Sequence, residues 1–280
     1  MSKGTGLGDR IKGYEARETK RSFIPGIPVV VRLDGKRFSK FTKNMEKPFD
    51  AGFTDLMVLT THYLVEQTGA RIGYTQSDEI TLIYLQDKPK SEIYLNGRVQ
   101  KMTSILASMA TGYFNDCRET ALQRDPGTIA MFDCRAFQVP SKDEAVNVLI
   151  WRELDAARNS VSMLANHYFS HKELQGKNVS QVQDLLMGYH QVNWNDLKVA
   201  WKRGTYVQRE TYEAELSDAA IAKILAKCKD GDGRATFLEG KVTRHRIANV
   251  SMPKLTTVTN RVAVVFDAEK PVVEQLQLVE

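Results

Sequence analysis

The apolar run at residues 27–34 (IPVVVRLD) sets the first limit on the fold of this chain. Its three consecutive valines are β-branched, and a short apolar run without alternation is typical of a strand buried on both faces. The run stops at Asp34 and Gly35, and Lys36 and Arg37 then begin a basic loop. The pattern therefore predicts a central strand that carries a carboxylate at its carboxyl end.

Residues 71–85 (RIGYTQSDEITLIYL) predict a hairpin whose tight turn is Gln76-Ser77-Asp78-Glu79. If its strands lie beside the first one, Asp34, Asp78 and Glu79 converge at one edge of the sheet. Close carboxylates repel, so such a cluster is stable mainly when a cation compensates it, and oxygen ligands without His or Cys favour Mg²⁺ over zinc. Taken alone, an Asp-Gly step is more typical of a plain turn, and an Asp-Glu turn of a solvated tip. Together they suggest phosphoryl chemistry.

Further helices are predicted at residues 50–69 and 96–122, with a strand within 127–140. Ser141 and Glu144 have the spacing of a capping box and open a long helix to about residue 169. We expect its apolar side to carry Ile150, Leu154, Ala157, Val161, Leu164 and Tyr168. Its polar side carries Arg152, Asp155, Asn159, Ser162 and Asn166. Such a stripe is typical either of a surface that hydrogen-bonds a partner or of an ordinary wet surface.

The last third of the chain predicts a short helix near residues 181–187, a strand near 204–211 and a tail from about 214. The tail contains a helical stretch, a glycine-broken segment at 230–233 and a β-rich end at 258–266 (VTNRVAVVF). A weak likeness to a calcium loop at 228–239 has Cys228 where the first ligand should stand, so a loop is expected there.

The composition is that of a globular protein with a substantial core, with 42% hydrophobic and 26% charged residues among 280. A net charge of +5 permits an anionic partner such as RNA. Cys117, Cys134 and Cys228 form no CxxC pair, which favours a reducing compartment over a zinc site or disulfide framework. Neither a signal-peptide core nor an apolar stretch of membrane-spanning length is present. We therefore expect a cytoplasmic protein without membrane contact.

Several sequence blocks, in the same order, resemble the signature blocks of the tRNA-histidine guanylyltransferase-like family, over roughly residues 5–212. The blocks are VRLDGKRF (31–38), KPFD (47–50), QSDE (76–79), Arg98 with Lys101, FDCR (132–135), WRELD (151–155) and NWNDL (193–197) followed by KRG (202–204). Their number makes the resemblance far more specific than any one motif. The similarity is greatest to the bacterial, tRNA-repairing branch of these 3′-5′ polymerases.

The resemblance implies an α+β fold, a palm like that of polymerases and nucleotide cyclases, with an antiparallel sheet flanked by helices. It divides the chain into a palm catalytic region (1–140), a helical and strand region that completes the catalytic domain (141–213) and an appended C-terminal extension (214–280). Family members usually form homotetramers, built as dimers of dimers. The family block also suggests that Trp194 and Trp201 are structural.

The resemblance further implies that Asp34 and Asp78, with the Gly35 carbonyl, hold two Mg²⁺ ions, and that Glu79 supports this catalytic site. The expected nucleotide-binding residues are Gly35, Lys36, Arg37, Phe38, Lys47, Ser77, Arg98 and Lys101. The expected RNA-binding residues are Arg32, Arg135, Arg152, Asp155, Asn159, Lys202 and Arg203.

In the implied reaction, ATP or GTP first activates the 5′-monophosphate of a tRNA. The 3′-hydroxyl of an incoming nucleoside triphosphate then attacks the activated phosphate. Enzymes that add guanosine to histidine tRNA carry a His-Ile-Asn-Asn stretch where this chain has Ala157-Arg158-Asn159-Ser160. Because Ala157 has no hydrogen-bonding side chain, we expect template-dependent repair of 5′-truncated tRNAs rather than histidine-specific addition. A palm-type small-nucleotide synthase or cyclase and a non-catalytic tRNA-binding protein remain as alternatives.

Overall fold

The computed structural model describes residues 6–87, 91–123, 127–227 and 241–274. Its centre is a six-stranded sheet in the order β4-β1-β3-β2-β5-β6, in which every neighbouring pair is antiparallel. The strands are β1 (Val29–Gly35), β2 (Ile72–Gln76), β3 (Glu79–Tyr84), β4 (Phe132–Gln138), β5 (Thr205–Glu215) and β6 (Lys241–Val250).

Helices cover both faces of this sheet. The helices of the described ranges are α1 (Gly6–Thr19), α2 (Phe38–Phe41), α3 (Ala51–Thr68), α4 (Val99–Ala121), α5 (Lys142–Tyr168), α6 (His171–Leu174), α7 (Val179–His190), α8 (Val199–Arg203), α9 (Asp218–Lys227) and α10 (Arg261–Asp267). Short 3₁₀ turns lie at Tyr94–Gly97, Trp194–Asp196 and Leu255–Thr257. None of the helices within the described ranges combines the length and apolar character that crossing a membrane requires.

Side-chain alternation along β1 gives the sheet two different faces. Val31 and Leu33 join the larger core cluster, which α3 and α4 complete with residues such as Leu56 and Leu106. Arg32 and Asp34 have the opposite parity and therefore lie on the face that α5 covers. The second core cluster forms farther along that face, from β2, α5 and the C-terminal segment. The predicted acidic site thus lies at the carboxyl end of a buried strand, on the α5 side.

The hairpin predicted at residues 71–85 is confirmed, with β2 and β3 joined through Ser77 and Asp78. Ser77 has φ 53°, a left-handed conformation that a non-glycine residue rarely adopts outside tight turns. The Gly35 N–H donates to the Asp78 carbonyl at 3.1 Å. This bond fixes the tip of the hairpin against the end of β1.

The predicted long helix is confirmed as α5, but its predicted orientation is partly wrong. Leu154 and Tyr168 are exposed, whereas Arg152 and Glu153 are buried. Hydrophobic periodicity fails here because these two charged residues have partners inside the molecule and so occupy core-facing positions. Only half of the predicted capping box forms: the Glu144 N–H donates to Ser141 Oγ, while the Glu144 carboxylate accepts from Asn147.

The C-terminal segment adds to the palm at one edge of the sheet. β5 continues through the predicted boundary at 213/214, and β6 pairs with it along its whole length. The predicted β-rich end at 258–266 is wrong, because α10 occupies most of it and buries Val264, Val265 and Phe266 in the second core cluster. Packing of this apolar segment overrides its β-branched composition. The predictions for residues 228–240 lie outside the described residues.

Candidate active site

Four carboxylates meet at the carboxyl end of β1. In the register of the sheet Asp34 lies opposite Glu79 on β3 and opposite Asp133 on β4, and Asp78 lies in the adjoining turn. Burial, then repulsion from Glu79 and Asp133, raises the pKa of Asp34 above its ordinary value. Burial, with repulsion from Asp34, also raises the pKa of Asp78. The predicted convergence is therefore present, and both aspartates are held where their negative charge is unfavourable.

Glu79 differs from both aspartates because two arginines bind it. Arg32 donates to Oε1 at 2.9 Å, and Arg152 of α5 donates to Oε2. Arg152 also pairs with Asp155 at 3.2 Å. The ring of Trp151 lies against both guanidinium groups, with centroid distances of 5.0 Å to Arg32 and 4.7 Å to Arg152. Glu79 thus links β1, β3 and α5 as a compensated charge.

The loop after β1 combines a close packing contact with exposed cations. A Cβ added to Gly35 would lie 2.4 Å from the ring of Phe38, so glycine is required here by packing. The Phe38 side chain is only 3% exposed and packs in an aromatic cluster, so its ring is a core group. Lys36 and Arg37 are exposed and line a cleft of about 450 Å³ together with Lys40 and Lys43.

A second cavity is lined by Ser77 of the hairpin tip and by Lys47. The Lys47 ammonium donates to the Thr42 carbonyl at 2.9 Å, and Ser77 Oγ donates to Asp78 Oδ1 at 3.1 Å. Trp201 lines the same cavity, stacks on Phe49 at a centroid distance of 5.3 Å and donates its indole N–H to Thr54. Its side chain is thus anchored within the fold, as the sequence suggested.

The polar stripe of α5 faces the acidic site. Asp155, Asn159, Ser162 and Asn166 line a cavity of about 370 Å³ that Asp34, Ser77, Asp78 and Glu79 also border. Asn159 donates to Asp155 at 3.3 Å. The interpretation of this stripe as part of a site, rather than a wet surface, is supported by this placement.

The predicted RNA-binding arginines fall into two groups. Arg135 on β4 is 60% exposed and lies 3.5 Å from Asp133 and 3.9 Å from Asp34, at the rim of the site. Arg32 and Arg152 are instead held by Glu79, and Arg203 by the buried Glu153. Lys202 donates to the Asn195 carbonyl and lies over the ring of Trp194. Of the five cations, only Arg135 is presented freely beside the carboxylates.

Comparison with known proteins identifies the family. The family model described as tRNAHis guanylyltransferase (Thg1) matches residues 8–140. A mimivirus protein named "Uncharacterized protein R259" is 34% identical over 231 residues, covering 75% of this chain and 79% of its own length. A bacterial Thg1-like protein solved with ATP is 40% identical with a TM-score of 0.68, over 73% of this chain and 87% of that one. A bacterial Thg1-like protein solved with GTP is 32% identical with a TM-score of 0.68, and the match covers 90% of this chain and 94% of that one.

This chain belongs to the Thg1 family. The sheet described above is therefore the polymerase-like palm of a Thg1-family nucleotidyltransferase, as the sequence blocks predicted.

Two of the residues predicted for the nucleotide site of this Thg1-family protein lie far from the carboxylates. Arg98 immediately precedes α4, and its backbone forms an isolated antiparallel β-bridge with Ser22. The backbone N–H of Val99 donates to the Arg21 carbonyl. Farther along α4, the Asn115 side chain donates to the Ala130 carbonyl and accepts from the Ala130 N–H. Ala130 lies two residues before β4 begins, at the end of that strand beside the carboxylates. The helical stretch between Arg98 and Asn115 is about 25 Å long. Within one copy of the chain, Arg98 and Lys101 do not reach Asp34.

Two residues of the WRELD block were missed by the sequence interpretation. The carboxylate of Glu153 accepts hydrogen bonds from Arg203, the Tyr206 hydroxyl and the Leu255 N–H. Trp151 covers the two arginines beside the site. A correct assignment of the buried face of α5 would have located Glu153, whereas the position of Trp151 depends on the packing of α5 on β1.

The donor set at the carboxylates fits magnesium. Among the described residues, no three His, Cys, Asp or Glu side chains surround one ion position. Mg²⁺ is typically held by one or two carboxylates with backbone and phosphate oxygens, and it keeps several waters. Asp34 and Asp78, with their raised pKa values, meet that requirement without a third acidic ligand.

Proposed function

We propose that this protein is a Mg²⁺-dependent 3′-5′ nucleotidyltransferase that repairs 5′-truncated tRNAs. It activates the tRNA 5′-monophosphate with ATP or GTP and then adds nucleotides, each chosen by the opposing base. The observation that carries this proposal is the pair Asp34 and Asp78 at the hairpin tip, bordered by the polar stripe of α5 and by the cavity at Ser77 and Lys47. Membership of the Thg1 family supports it. Bacterial relatives solved with ATP and with GTP support the choice of activator.

Each residue group has a role that follows from its position. Asp34, Asp78 and the Gly35 carbonyl would hold two Mg²⁺ ions, whose chemistry is to neutralise phosphate charge and activate the attacking hydroxyl. Glu79 positions Arg32 and Arg152, which brace α5 against the sheet. Lys36, Arg37, Lys47 and Ser77 bind triphosphate oxygens. Most of the acceleration then comes from positioning and charge, so no covalent nucleophile is required.

We further propose that the active form is a homotetramer in which a neighbouring copy supplies Arg98 and Lys101. Both side chains are exposed at the far end of α4. Arg98 is the N-cap residue of α4 and Lys101 lies in its first turn, so the two cations lie at the same helix end, where they grip one triphosphate. This arrangement reconciles their predicted role with their distance from Asp34. The cytoplasmic location stays a prediction.

Selection by the template is proposed because the stretch at 157–160 offers few groups for dedicated tRNA recognition. Ala157 has no polar side chain, and Ser160 is buried, donating to Ala157 and accepting from the Trp194 indole. Only Arg158 and Asn159 are exposed. An incoming nucleotide that pairs with the opposite strand is held with its 3′-hydroxyl near the activated phosphate, whereas a mispaired one is not.

The test uses tRNA transcripts that lack their first nucleotide, each with a different base opposite the gap. With Mg²⁺, ATP and the four nucleoside triphosphates, the nucleotide incorporated should follow the opposing base, on tRNAs of several identities, and addition should stop when the stem is complete. An Asp34→Ala variant is the inactive control. Guanosine addition regardless of the opposing base, confined to histidine tRNA, would contradict template-dependent repair.

A further inference from the structure

Trp151 is an exposed aromatic residue beside the carboxylates, and its position is unusual for a tryptophan of this chain. Its side chain is 48% exposed, and Leu154, one turn farther along α5, is also exposed. The indole N–H groups of Trp194 and Trp201 both donate hydrogen bonds within the fold. Trp151 makes no such bond among the described residues, and its ring lies against Arg32 and Arg152 instead.

One face of the Trp151 ring is already in use. The guanidinium groups of Arg32 and Arg152 both lie near this face, and both bind the same Glu79 carboxylate. Because two groups on one carboxylate are neighbours, the ring covers them from one side. The Nε atoms of both arginines are buried and have no hydrogen-bond partner. The exposed area therefore belongs to the opposite face and the edge of the ring.

The Trp151 ring lies near the metal carboxylates, because it covers Arg32, whose guanidinium is 5.0 Å from the ring centroid. Arg32 and Asp34 are two residues apart on the same face of β1, about 6.6 Å along the strand. Arg135 lies opposite Arg32 on the neighbouring strand, and its side chain, although 3.9 Å from Asp34, is 60% exposed and accessible to a phosphate. An apolar platform next to an exposed cation is the combination that binds an exposed base and its backbone.

We infer that Trp151 is a stacking platform for the nucleobase of the RNA 5′ end that is held at Asp34 and Asp78. The inference rests on the proposed function, because it takes an RNA end as the substrate of this site. The base stacks on the free face of the indole while Arg135 contacts the adjoining backbone. The contacts with the two guanidinium groups hold the indole ring in place before RNA binds. A ring held in place loses little entropy when a base stacks on it.

The test measures RNA binding in the absence of nucleotides, so that it is independent of turnover. The probe is a 5′-monophosphorylated hairpin copying an acceptor stem, with 2-aminopurine at the 5′-terminal position, in the presence of Mg²⁺. Trp151→Ala should weaken binding by roughly tenfold or more, as expected for loss of one stacked base, and should abolish quenching of the 2-aminopurine. Trp151→Phe should restore most of both signals. Tyr189→Ala removes another highly exposed aromatic side chain and should change neither.

Three results would overturn the inference. The first is a Trp151→Ala variant that binds the hairpin as tightly as Tyr189→Ala does. The second is loss of ATP binding together with RNA binding, which would assign Trp151 to support of the arginines. The third is a changed molecular mass in solution with RNA affinity intact, which would assign the face to a second copy of the chain. Failure of the proposed function gives a different pattern, because wild-type protein would then fail to lengthen the same hairpin when its first nucleotide is missing.

Discussion

The carboxylates of this protein fall into two groups that differ in how their charge is compensated. Glu79 and Glu153 are each bound directly by arginine, and Glu153 also accepts from a tyrosine hydroxyl and a backbone N–H. Asp34 has its nearest cation 3.9 Å away on the exposed Arg135. Burial and mutual repulsion raise the pKa values of Asp34 and Asp78. The compensated carboxylates join elements of the fold, whereas Asp34 and Asp78 are less well compensated, which is the arrangement that the proposed Mg²⁺ site requires.

The largest expected effect distinguishes these two groups at the level of catalysis. Asp34→Asn or Asp78→Asn should lower nucleotide addition by about 10³-fold or more, since each removes a ligand from a metal site that supplies several kcal/mol. Activation of the 5′-monophosphate should fall with it, because both steps use the same site. Single-turnover assays of each step, with circular dichroism to verify folding, measure this. A folded variant with near-normal addition would place the metal elsewhere.

The second prediction concerns Glu153 and should appear in stability rather than chemistry. Glu153→Ala leaves the Arg203 guanidinium and the Tyr206 hydroxyl without their buried partner, so we expect a loss of about 3–5 kcal/mol in the free energy of unfolding. Glu210→Ala is the matched control, because Glu210 pairs with Arg246 at the surface and both side chains are well exposed. Its removal should cost about 0–1 kcal/mol. Urea denaturation of the two variants compares them, and equal losses would show that Glu153 is not a structural centre.

The third prediction concerns the cations of α4, which the structure places apart from both groups of carboxylates. Arg98→Ala and Lys101→Ala should each slow activation of a 5′-monophosphorylated tRNA by about 10- to 100-fold, the value of one charge-assisted hydrogen bond to phosphate. Addition to a tRNA that already carries a 5′-triphosphate should be largely spared. Lys254→Ala, an exposed lysine of the C-terminal segment, serves as the control.

Two outcomes would revise that assignment. Equal losses on the monophosphate and triphosphate substrates would assign Arg98 and Lys101 to the tRNA backbone. Mixed oligomers of an Asp34→Ala chain and an Arg98→Ala chain provide a stricter test. If a neighbouring copy supplies Arg98, one site in such an oligomer has both Asp34 and Arg98 intact, so activity should return.

Local sequence signals predicted the parts of the site that depend on strand ends and turns. The β-branched run before Asp34 and the polar turn at Asp78 each specify their own geometry, and one sheet brings them together. The family blocks added an expectation of which carboxylates take part in the chemistry. The hairpin, the central strand and the α5 stripe near the site were therefore predictable from the chain alone.

The rest depends on partners that are distant in sequence. Arg152 and Glu153 look like surface residues until Glu79 and Arg203 are known to meet them, so the buried face of α5 was misassigned. The β-branched stretch that forms α10 is helical because it packs on the second core cluster. Nothing in the order of the blocks indicates that Arg98 starts α4 at the end away from the carboxylates.

The smallest expected effect is the pH dependence of stability in the metal-free protein. The pKa of Asp78 is raised above its ordinary value of 3.8, so the folded state binds this proton more tightly than the unfolded chain does. The stabilisation is present at low pH and is lost as pH rises through the folded pKa. Asp78→Asn removes the titrating group.

With a chelator present, the Asp78→Asn variant should therefore become more stable than the wild-type protein as pH rises above 3.8. The difference in the free energy of unfolding should be smaller than the loss expected for Glu153→Ala. Adding Mg²⁺ should reverse the order, because only the wild-type carboxylate binds the ion. Urea midpoints measured across this pH range, with and without Mg²⁺, test both signs. A wild-type protein that gains stability over Asp78→Asn as pH rises without metal would mean that the chain already compensates this aspartate.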